Sequence, residues 1–306
     1  MSWTPDSFRR CLILTGPTGS GKSALALAHA PRLNAEIVCM DSMTLYRGMD
    51  IGTAKPSAAD RAAVPHHLVD VLDPSESASV AWWLTRAAQA VADIEARGKQ
   101  ALLVGGTALY LKAVLHGLME APSADEALRQ QLEQEAALHG VEVLHGRLAR
   151  VDPQAAQRIH PNNIRRVIRA LEVYQLTGQP LSHLQSQWNR PILDEGRILC
   201  LTLPRETLYA RINARVDAMI AAGLLDEVRR LRERPISREA SQALGYKELF
   251  AYLDGKVSLE VAIEQIRTRS RQFAKRQLTW FRQLQGCRMV ENVLTQGPWA
   301  SRMELL

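Results

Sequence analysis

In this 306-residue chain, the segment that indicates the fold most clearly is Gly16-Pro17-Thr18-Gly19-Ser20-Gly21-Lys22-Ser23. It matches the pattern G-x-x-x-x-G-K-[ST], in which glycines let backbone N–H groups face a phosphate and the lysine adds a full positive charge. An apolar run precedes it at residues 11–15, and a segment of helical composition follows at residues 23–30. A strand, a glycine-rich loop and a helix N-terminus in this order form a phosphate-binding P-loop. The motif predicts that phosphate is bound by Gly16, Thr18, Gly19, Ser20, Gly21, Lys22 and Ser23, with the Ser23 hydroxyl as a ligand of Mg²⁺.

Three further apolar runs, at residues 36–40, 101–104 and 197–203, predict buried strands of the same sheet. A helical pattern at residues 78–97 separates the first of these runs from the second. Strands that alternate with helices are typical of a parallel sheet covered on both faces. We therefore predict an α/β fold with a P-loop NTPase-like parallel sheet core flanked by helices.

The strand signal disappears between residues 117 and 191, where alanine, leucine, glutamine and arginine dominate. This segment predicts a mostly helical insertion domain. The core domain would then consist of residues 1–116 and 192–306, with helices at its C-terminal end.

Composition is that of an ordinary globular protein, with a net charge of +6 that is compatible with a polyanionic partner. The four cysteines are far apart and form no CxxC pair, which argues against a zinc site or a disulfide framework. No signal peptide or membrane span is evident in the sequence. We expect a cytoplasmic protein with no membrane partner.

The position of one acidic residue narrows the chemistry. Asp41 directly follows the second predicted strand, whereas the third is followed by Gly105-Gly106-Thr107, with no acid. An aspartate in the first position could face an acceptor as a base, as in P-loop kinases, or could cap a turn. Position alone leaves these two interpretations equally open.

Seven segments together closely resemble the bacterial tRNA dimethylallyltransferase family. They are residues 16–23, 41–56, 64–70, 105–110, 165–174, 242–248 and 275–282, so that the resemblance extends from about residue 11 to residue 285. The segment 41–56 is far more specific than the P-loop alone. Thr44 and the pair Asn163-Ile164 depart from the residues that many relatives carry.

The resemblance implies transfer of a dimethylallyl group from dimethylallyl pyrophosphate to the exocyclic amine of adenosine 37, in tRNAs that read codons beginning with U. It implies a requirement for Mg²⁺ and a monomeric enzyme. Pyrophosphate would be the leaving group, so the P-loop would need to hold only two phosphates. By the same resemblance Asp41 is the base that accepts the amine proton, Arg215 stabilises the leaving pyrophosphate, and Thr107 contacts the reacting region.

The partner implied by the resemblance is the tRNA anticodon stem-loop. A helix from about residue 263 to residue 284 places Arg267, Arg271, Lys275 and Arg282 on one side, with few carboxylates nearby to neutralise them. Its apolar stripe is expected to comprise Ile263, Ile266, Phe273, Trp280 and Leu284. By resemblance the tRNA contacts are Asp41, Ser42, Met43, Thr44, Thr107, Arg129, Arg165, Arg166, Val167, Ile168, Arg169, Ala243, Leu244, Gly245, Tyr246, Lys247, Glu248, Lys275, Arg276, Gln277, Leu278, Thr279, Trp280, Phe281 and Arg282.

Three other functions compete with tRNA dimethylallyl transfer as explanations of the sequence. A P-loop nucleoside or small-molecule kinase explains Lys22 and Asp41 but makes no use of the basic helix. An isopentenyltransferase acting on free adenine nucleotides would lack the tRNA-facing segments, and a non-catalytic RNA-binding module has no use for Lys22. The pair His66-His67 is not interpreted as a metal site because no further ligand has suitable spacing.

Overall fold

The computed structural model describes residues 4–118, 122, 124–184 and 197–291. The chain divides into two compact units, one formed by Met1–Leu115 with Pro191–Leu306 and the other by His116–Arg190. The expected boundaries lie one residue from these. The second of them falls among residues 185–196, which are outside the described part of the chain.

The first unit contains a six-stranded, wholly parallel sheet with the order β3-β2-β4-β1-β5-β6. Strands β1 and β2 are buried at every position, as expected for a sheet covered on both faces. The predicted α/β class is therefore confirmed. The strands are β1 (Leu12–Thr15), β2 (Ala35–Cys39), β3 (His66–His67), β4 (Gln100–Gly105), β5 (Ile198–Thr202) and β6 (Cys287–Glu291).

Four of these strands coincide with the predicted apolar runs, whereas β3 and β6 were not predicted. A strand of two residues is too short to show periodicity, and β6 mixes charged with apolar residues at the edge of the sheet. His67 of β3 forms a hydrogen bond at 2.7 Å with the buried carboxylate of Glu36, which also accepts from Arg97 and Lys99. These contacts give His67 a structural role, whereas His66 forms a hydrogen bond with the Val64 carbonyl and lines a cavity of this unit.

Helices and one 3-10 turn, Pro5–Phe8, complete the first unit. No helix in the described part of the chain has the length and apolar character to cross a membrane. The helices are α1 (Lys22–His29), α2 (Ala58–Ala63), α3 (Val80–Ala96), α4 (Ala108–His116), α10 (Arg205–Ala221), α11 (Leu224–Arg232), α12 (Arg238–Ser241), α13 (Tyr246–Leu253) and α14 (Leu259–Arg282).

All regular secondary structure in the described residues of the second unit is helical. The core of this unit includes Leu144, Leu148, Val167 and Leu171. The fully buried carboxylate of Glu172 accepts hydrogen bonds from Arg129 and Arg169, which fixes both guanidinium groups. The helices are α5 (Glu126–His139), α6 (Val141–Val151), α7 (Pro153–Arg158), α8 (Ile164–Thr177) and α9 (Leu181–Leu184).

The long helix α14 corrects two expectations about the C-terminal basic surface. Its buried face consists of Ala262, Ile266, Ala274, Gln277 and Phe281, whereas Phe273 is 36% exposed. The buried face therefore shares Ile266 with the predicted stripe and is otherwise shifted to neighbouring positions, because the packing partners of α14 select small residues and the Gln277 amide for the interior.

The second correction concerns charge on α14. Arg267 pairs with Asp217 and Glu264, and Arg271 bonds to Asn213 at 2.7 Å and to Glu264 at 3.2 Å. Two of the four predicted phosphate-binding cations are thus already engaged within the protein. Sequence separation hid the partners Asp217 and Asn213, which lie on another helix, α10, whereas Glu264 lies on α14 itself, three residues before Arg267.

Candidate active site

Three loops meet at the carboxyl edge of the sheet, where ligands bind in open parallel α/β folds. The register pairs Thr15 of β1 with Gly105 of β4 and with Cys200 of β5. The P-loop therefore leaves β1 beside the Gly105-Gly106-Thr107 turn that leaves β4. Asp41 follows β2, which pairs with β4 on its other side.

Glycines allow these loops to approach each other closely. Gly16 has φ +149°, and a Cβ at this position would lie 2.7 Å from the backbone oxygen of Leu201. A Cβ at Gly105 would overlap the Met40 carbonyl next to Asp41. The P-loop prediction thus gains a tertiary reason, because the backbone conformation and the space leave no room for a side chain.

Two cations and one carboxylate interact electrostatically at this edge. Burial lowers the pKa of Lys22 to about 8; the Asp41 carboxylate opposes this shift and the Arg215 guanidinium adds to it. Arg215 donates a hydrogen bond to the Thr18 hydroxyl at 3.3 Å. In the free protein the Asp41 carboxylate therefore balances the positive charge of Lys22 only in part. A bound polyanion would balance the rest.

Asp41 and Thr107 are held by neighbouring backbone groups. The Asp41 Oδ1 atom accepts the Met43 N–H at 2.9 Å, and the Thr107 hydroxyl oxygen accepts the Ser42 N–H at 3.1 Å. Because the Thr107 oxygen is the acceptor here, its hydroxyl hydrogen can still be donated elsewhere. The Asp41 carboxylate and the Thr107 hydroxyl are therefore each hydrogen-bonded to the backbone of the segment that follows Asp41.

A cavity of about 950 Å³ joins these groups within the first unit. Its walls include the phosphate loop, the segment that begins at Asp41, Thr107, and one face of α10. Among the predicted site residues, those that line it are Thr18, Gly19, Gly21, Lys22, Ser23, Asp41, Ser42, Met43, Thr44, Thr107, Arg215, Ala243, Leu244, Gly245, Arg276 and Gln277.

Comparison with known families shows to which family this chain belongs. The family model described as IPP transferase matches residues 44–284. This chain belongs to the IPP transferase family. The matched residues cover most of the chain and include Thr107, Arg215 and the whole of the second unit.

Individual relatives agree with the family assignment. The chain is 51% identical over 276 residues to a tRNA dimethylallyltransferase of Geobacillus thermodenitrificans, covering 89% of this chain and 87% of the relative. It is 44% identical to the crystal structure of the full-length tRNA isopentenylpyrophosphate transferase of Bacillus halodurans, with TM-score 0.69 and coverage of 97% and 94%. A eukaryotic dimethylallyltransferase captured acting on tRNA is 30% identical, with TM-score 0.78 and coverage of 96% and 77%.

Within this IPP transferase, the cavity wall also contains residues that sequence reasoning left without a role. The loop at residues 51–54 lines the cavity, and so does Arg211, to which the sequence assigned no role. Arg211 lies one helical turn before Arg215 on α10, so the spacing of four residues was the available signal. The loop at 51–54 belongs to the segment with the most specific resemblance, which named no individual role for it.

The same loop is held by a buried carboxylate that no motif indicated. Glu227 accepts the N–H groups of Asp50 and Ile51, both at 2.9 Å, and that of Gly52 at 3.2 Å. Its fourth partner is the Tyr246 hydroxyl, at 2.5 Å. Burial, together with the adjacent Glu227 carboxylate, raises the pKa of Tyr246, so this hydroxyl remains a donor.

Part of the predicted set of tRNA contacts is buried in the free protein. Buried side chains that do not line the cavity have almost no accessible area to offer to RNA. Exposed cations of the set are Arg165, Arg166, Lys247, Lys275, Arg276 and Arg282. The buried residues that line the cavity are Thr44, Ala243, Gly245 and Gln277, and those that do not are Val167, Ile168, Tyr246, Glu248 and Phe281.

Lys22 provides a pH test of the phosphate site. Pyrophosphate binding should weaken as pH rises above about 8, because the free protein then loses the Lys22 proton that the bound anion requires. The linkage gives a loss of up to roughly tenfold in affinity per pH unit above that pKa. Calorimetric titration between pH 7 and pH 9.5 measures it.

A Lys22→Met variant is the control for this pH test. It keeps the length of the side chain without a titratable amine, and the titration of pyrophosphate itself is common to both proteins. The affinity of this variant for pyrophosphate should be lower, and the part of the pH dependence that comes from Lys22 should be absent. Parallel slopes in the two proteins would contradict an effect of Lys22.

Proposed function

We propose that this protein transfers a dimethylallyl group from dimethylallyl pyrophosphate to the exocyclic amine of adenosine 37 in tRNAs that read codons beginning with U. The products are N6-dimethylallyladenosine and pyrophosphate. Membership of the IPP transferase family supports the reaction class. The relatives named tRNA dimethylallyltransferase, and the homologous enzyme captured acting on tRNA, support tRNA as the acceptor.

The observation that carries the proposal is the meeting of Lys22, Arg215 and Asp41 on one cavity. The two cations suit a leaving group that gains negative charge as the allyl carbon–oxygen bond breaks. Gly105-Gly106-Thr107 follows β4 where many P-loop nucleotide hydrolases carry a metal-orienting acid. This arrangement favours holding a diphosphate over hydrolysing a triphosphate.

The transfer step can be written with these groups. The adenine N6 atom forms a bond to the terminal allyl carbon, and the carbon–oxygen bond breaks with its electron pair leaving on pyrophosphate. The N6 proton passes to the Asp41 carboxylate, which matters because the amine lone pair is delocalised into the ring and makes N6 a poor nucleophile. The Thr107 hydroxyl oxygen accepts the N–H of Ser42, the residue after Asp41, and Thr107 lines the same cavity, which supports a role for its hydroxyl in the reacting region.

Magnesium fits the oxygen donors of this cavity. Mg²⁺ prefers oxygen ligands, keeps several waters and is commonly bound through one or two protein groups together with substrate phosphates. The exposed Ser23 hydroxyl next to Lys22 is the group that would hold it, with the Asp41 carboxylate on the same cavity. When bound, the ion would neutralise charge on the pyrophosphate.

One assay tests the proposed function. The protein is incubated with Mg²⁺, dimethylallyl pyrophosphate and an unmodified anticodon stem-loop that carries adenosine at position 37. Mass spectrometry is expected to find one added prenyl group on that adenosine. Transfer to free adenine nucleotide alone, or ATP-dependent phosphorylation of a small molecule, would replace the proposal with one of the alternatives.

Lys275 tests the RNA-binding surface. Lys275→Ala is expected to weaken binding of the anticodon stem-loop and to reduce the slope of log affinity against log salt by about 0.7 to 0.9. The side chain is exposed on α14 and would neutralise one phosphate. Fluorescence anisotropy over a salt series measures the slope.

The matched control for Lys275 is Arg267→Ala on the same helix. Arg267 is already paired with Asp217 and Glu264, so the salt slope should stay at its wild-type value. An unchanged slope for Lys275→Ala, or equal changes in both variants, would remove Lys275 from the phosphate contacts.

A further inference from the structure

Gln277 is an interior polar residue on a helix whose neighbouring positions are basic and exposed. Its side chain is only 5% accessible, whereas Lys275 and Arg276 beside it are exposed. A buried amide requires partners for both its oxygen and its nitrogen. Those partners determine what the residue does.

Both partners are backbone groups of the active-site loops. The Gln277 Oε1 atom accepts the Thr18 N–H of the P-loop at 2.9 Å, and its Nε2 atom donates to the Gly106 carbonyl at 2.7 Å. The two loops follow different strands, β1 and β4. Only a carboxamide offers an acceptor and a donor in this fixed geometry, since a glutamate cannot donate and a methionine can do neither strongly.

The loops are in close contact around this amide. A Cβ at Gly106 would lie 2.5 Å from Gln277 Nε2, 3.2 Å from the Gly16 carbonyl oxygen and 3.5 Å from Lys22 Nζ. The space at Gly106 is thus bounded by the Gln277 amide, the Gly16 carbonyl and the Lys22 ammonium. The amide bridges the P-loop and the β4 turn at this position.

The hydrogen bonds continue from Gln277 toward both reacting groups. On the phosphate side, Thr18 accepts a hydrogen bond from Arg215. On the acceptor side, Gly106 precedes Thr107, which binds the N–H of Ser42 beside Asp41. A continuous path of contacts thus joins the cation at the leaving group to the carboxylate at the nucleophile, with the Gln277 amide at its centre.

We propose that Gln277 is a positioning residue, which sets the separation between the pyrophosphate site and the Asp41–Thr107 site. This inference rests on the proposed function, and it differs from the direct tRNA contact that the family resemblance implied for this position. Catalysis of a displacement depends on the distance between the reacting atoms, and an error of about 1 Å can cost roughly a hundredfold in rate. Loss of the amide should therefore slow transfer within the complex and leave both substrates bound.

The test compares Gln277→Met, which keeps the volume, with Gln277→Glu, which keeps the acceptor and loses the donor. Single-turnover transfer with saturating RNA and dimethylallyl pyrophosphate should be slower by about 10- to 100-fold in both variants. The stem-loop dissociation constant should change by less than about twofold, since the side chain is buried and has no charge to give to a phosphate. Arg267→Ala on the same helix is the matched control: its guanidinium is already paired with Asp217 and Glu264, so the rate and the dissociation constant should both stay at their wild-type values.

A second variant keeps the proposal testable if Gln277 variants fold poorly. Gly106→Ala keeps Gln277 but would bring a Cβ to 2.5 Å from its nitrogen, so the amide must move and the single-turnover rate should fall in the same way. Active-site titration with tight-binding RNA corrects every rate for the fraction of folded protein. A corrected rate equal to wild type in all three variants would overturn the proposal.

Two other results are separately informative. Weaker RNA binding by Gln277→Met with a normal rate at saturating RNA would overturn the proposal and restore a direct RNA contact. Absence of prenyl transfer by the wild-type protein would overturn the proposed function itself, before any variant is compared.

Discussion

Replacing Asp41 with asparagine is expected to abolish prenyl transfer while leaving binding of the anticodon stem-loop nearly intact. Asparagine keeps the oxygen that accepts the Met43 N–H, so the local loop conformation is retained. It cannot accept the amine proton, and loss of a general base commonly costs about 10² to 10⁴ in rate. Single-turnover transfer and equilibrium RNA binding measure the two effects independently.

Comparison with Asp41→Ala separates the chemical role of this residue from its structural one. Alanine also removes the hydrogen bond from the Met43 N–H. Any loss of transfer rate in Asp41→Ala beyond that in Asp41→Asn therefore measures the effect on the loop alone. Simultaneous loss of transfer and RNA binding in the asparagine variant would mean that Asp41 positions RNA or the backbone. Full activity in that variant would exclude it as the base.

The second large effect is expected at Glu227. Glu227→Ala removes an acceptor shared by three backbone N–H groups and the buried Tyr246 hydroxyl. Hydrogen bonds to a charged group contribute about 1.5 to 3 kcal/mol each, and stranded donors add a desolvation cost. We expect the free energy of unfolding to fall by at least about 3 kcal/mol, as measured by urea denaturation. Transfer activity should fall as well, because the loop at residues 51–54 lines the cavity.

Two variants serve as controls for Glu227. Tyr246→Phe removes one of the four hydrogen bonds and should have an intermediate effect. Asp226→Ala removes the neighbouring carboxylate, which forms an exposed pair with Arg229, and should stay within about 1 kcal/mol of wild type. If Glu227→Ala lowers the free energy of unfolding by no more than Asp226→Ala does, the buried carboxylate does not stabilise the loop.

The wall of the cavity combines residues that were predictable with residues that were not. The P-loop, Asp41 and Thr107 were found because each directly follows an apolar strand, and parallel strands bring their carboxyl ends to one edge. Glu227 was missed because its three backbone partners lie 175 to 177 residues away and no local pattern marks a buried carboxylate. The same applies to β3 and β6, whose strand character comes from pairing with β2 and β5.

The basic surface shows the same division between local and distant information. The composition of α14 correctly indicated a charged helix. It could not indicate that Arg267 and Arg271 are paired with α10, or that Phe281 is buried in place of Phe273. Helical periodicity gives the angular position of each side chain, whereas the packed neighbours decide which face is covered.

The phosphate loop, the parallel α/β core, the strand-terminal carboxylate and the family can be inferred from the sequence alone, because motifs and short apolar runs are local properties of the chain. Which cations are already paired, which loop Glu227 holds and which way Gln277 faces depend on the tertiary structure. Gln277 joins Thr18, 259 residues before it, to Gly106, 171 residues before it. Such contacts depend on how strands and helices pack, and that packing brings together groups that no spacing in the sequence connects.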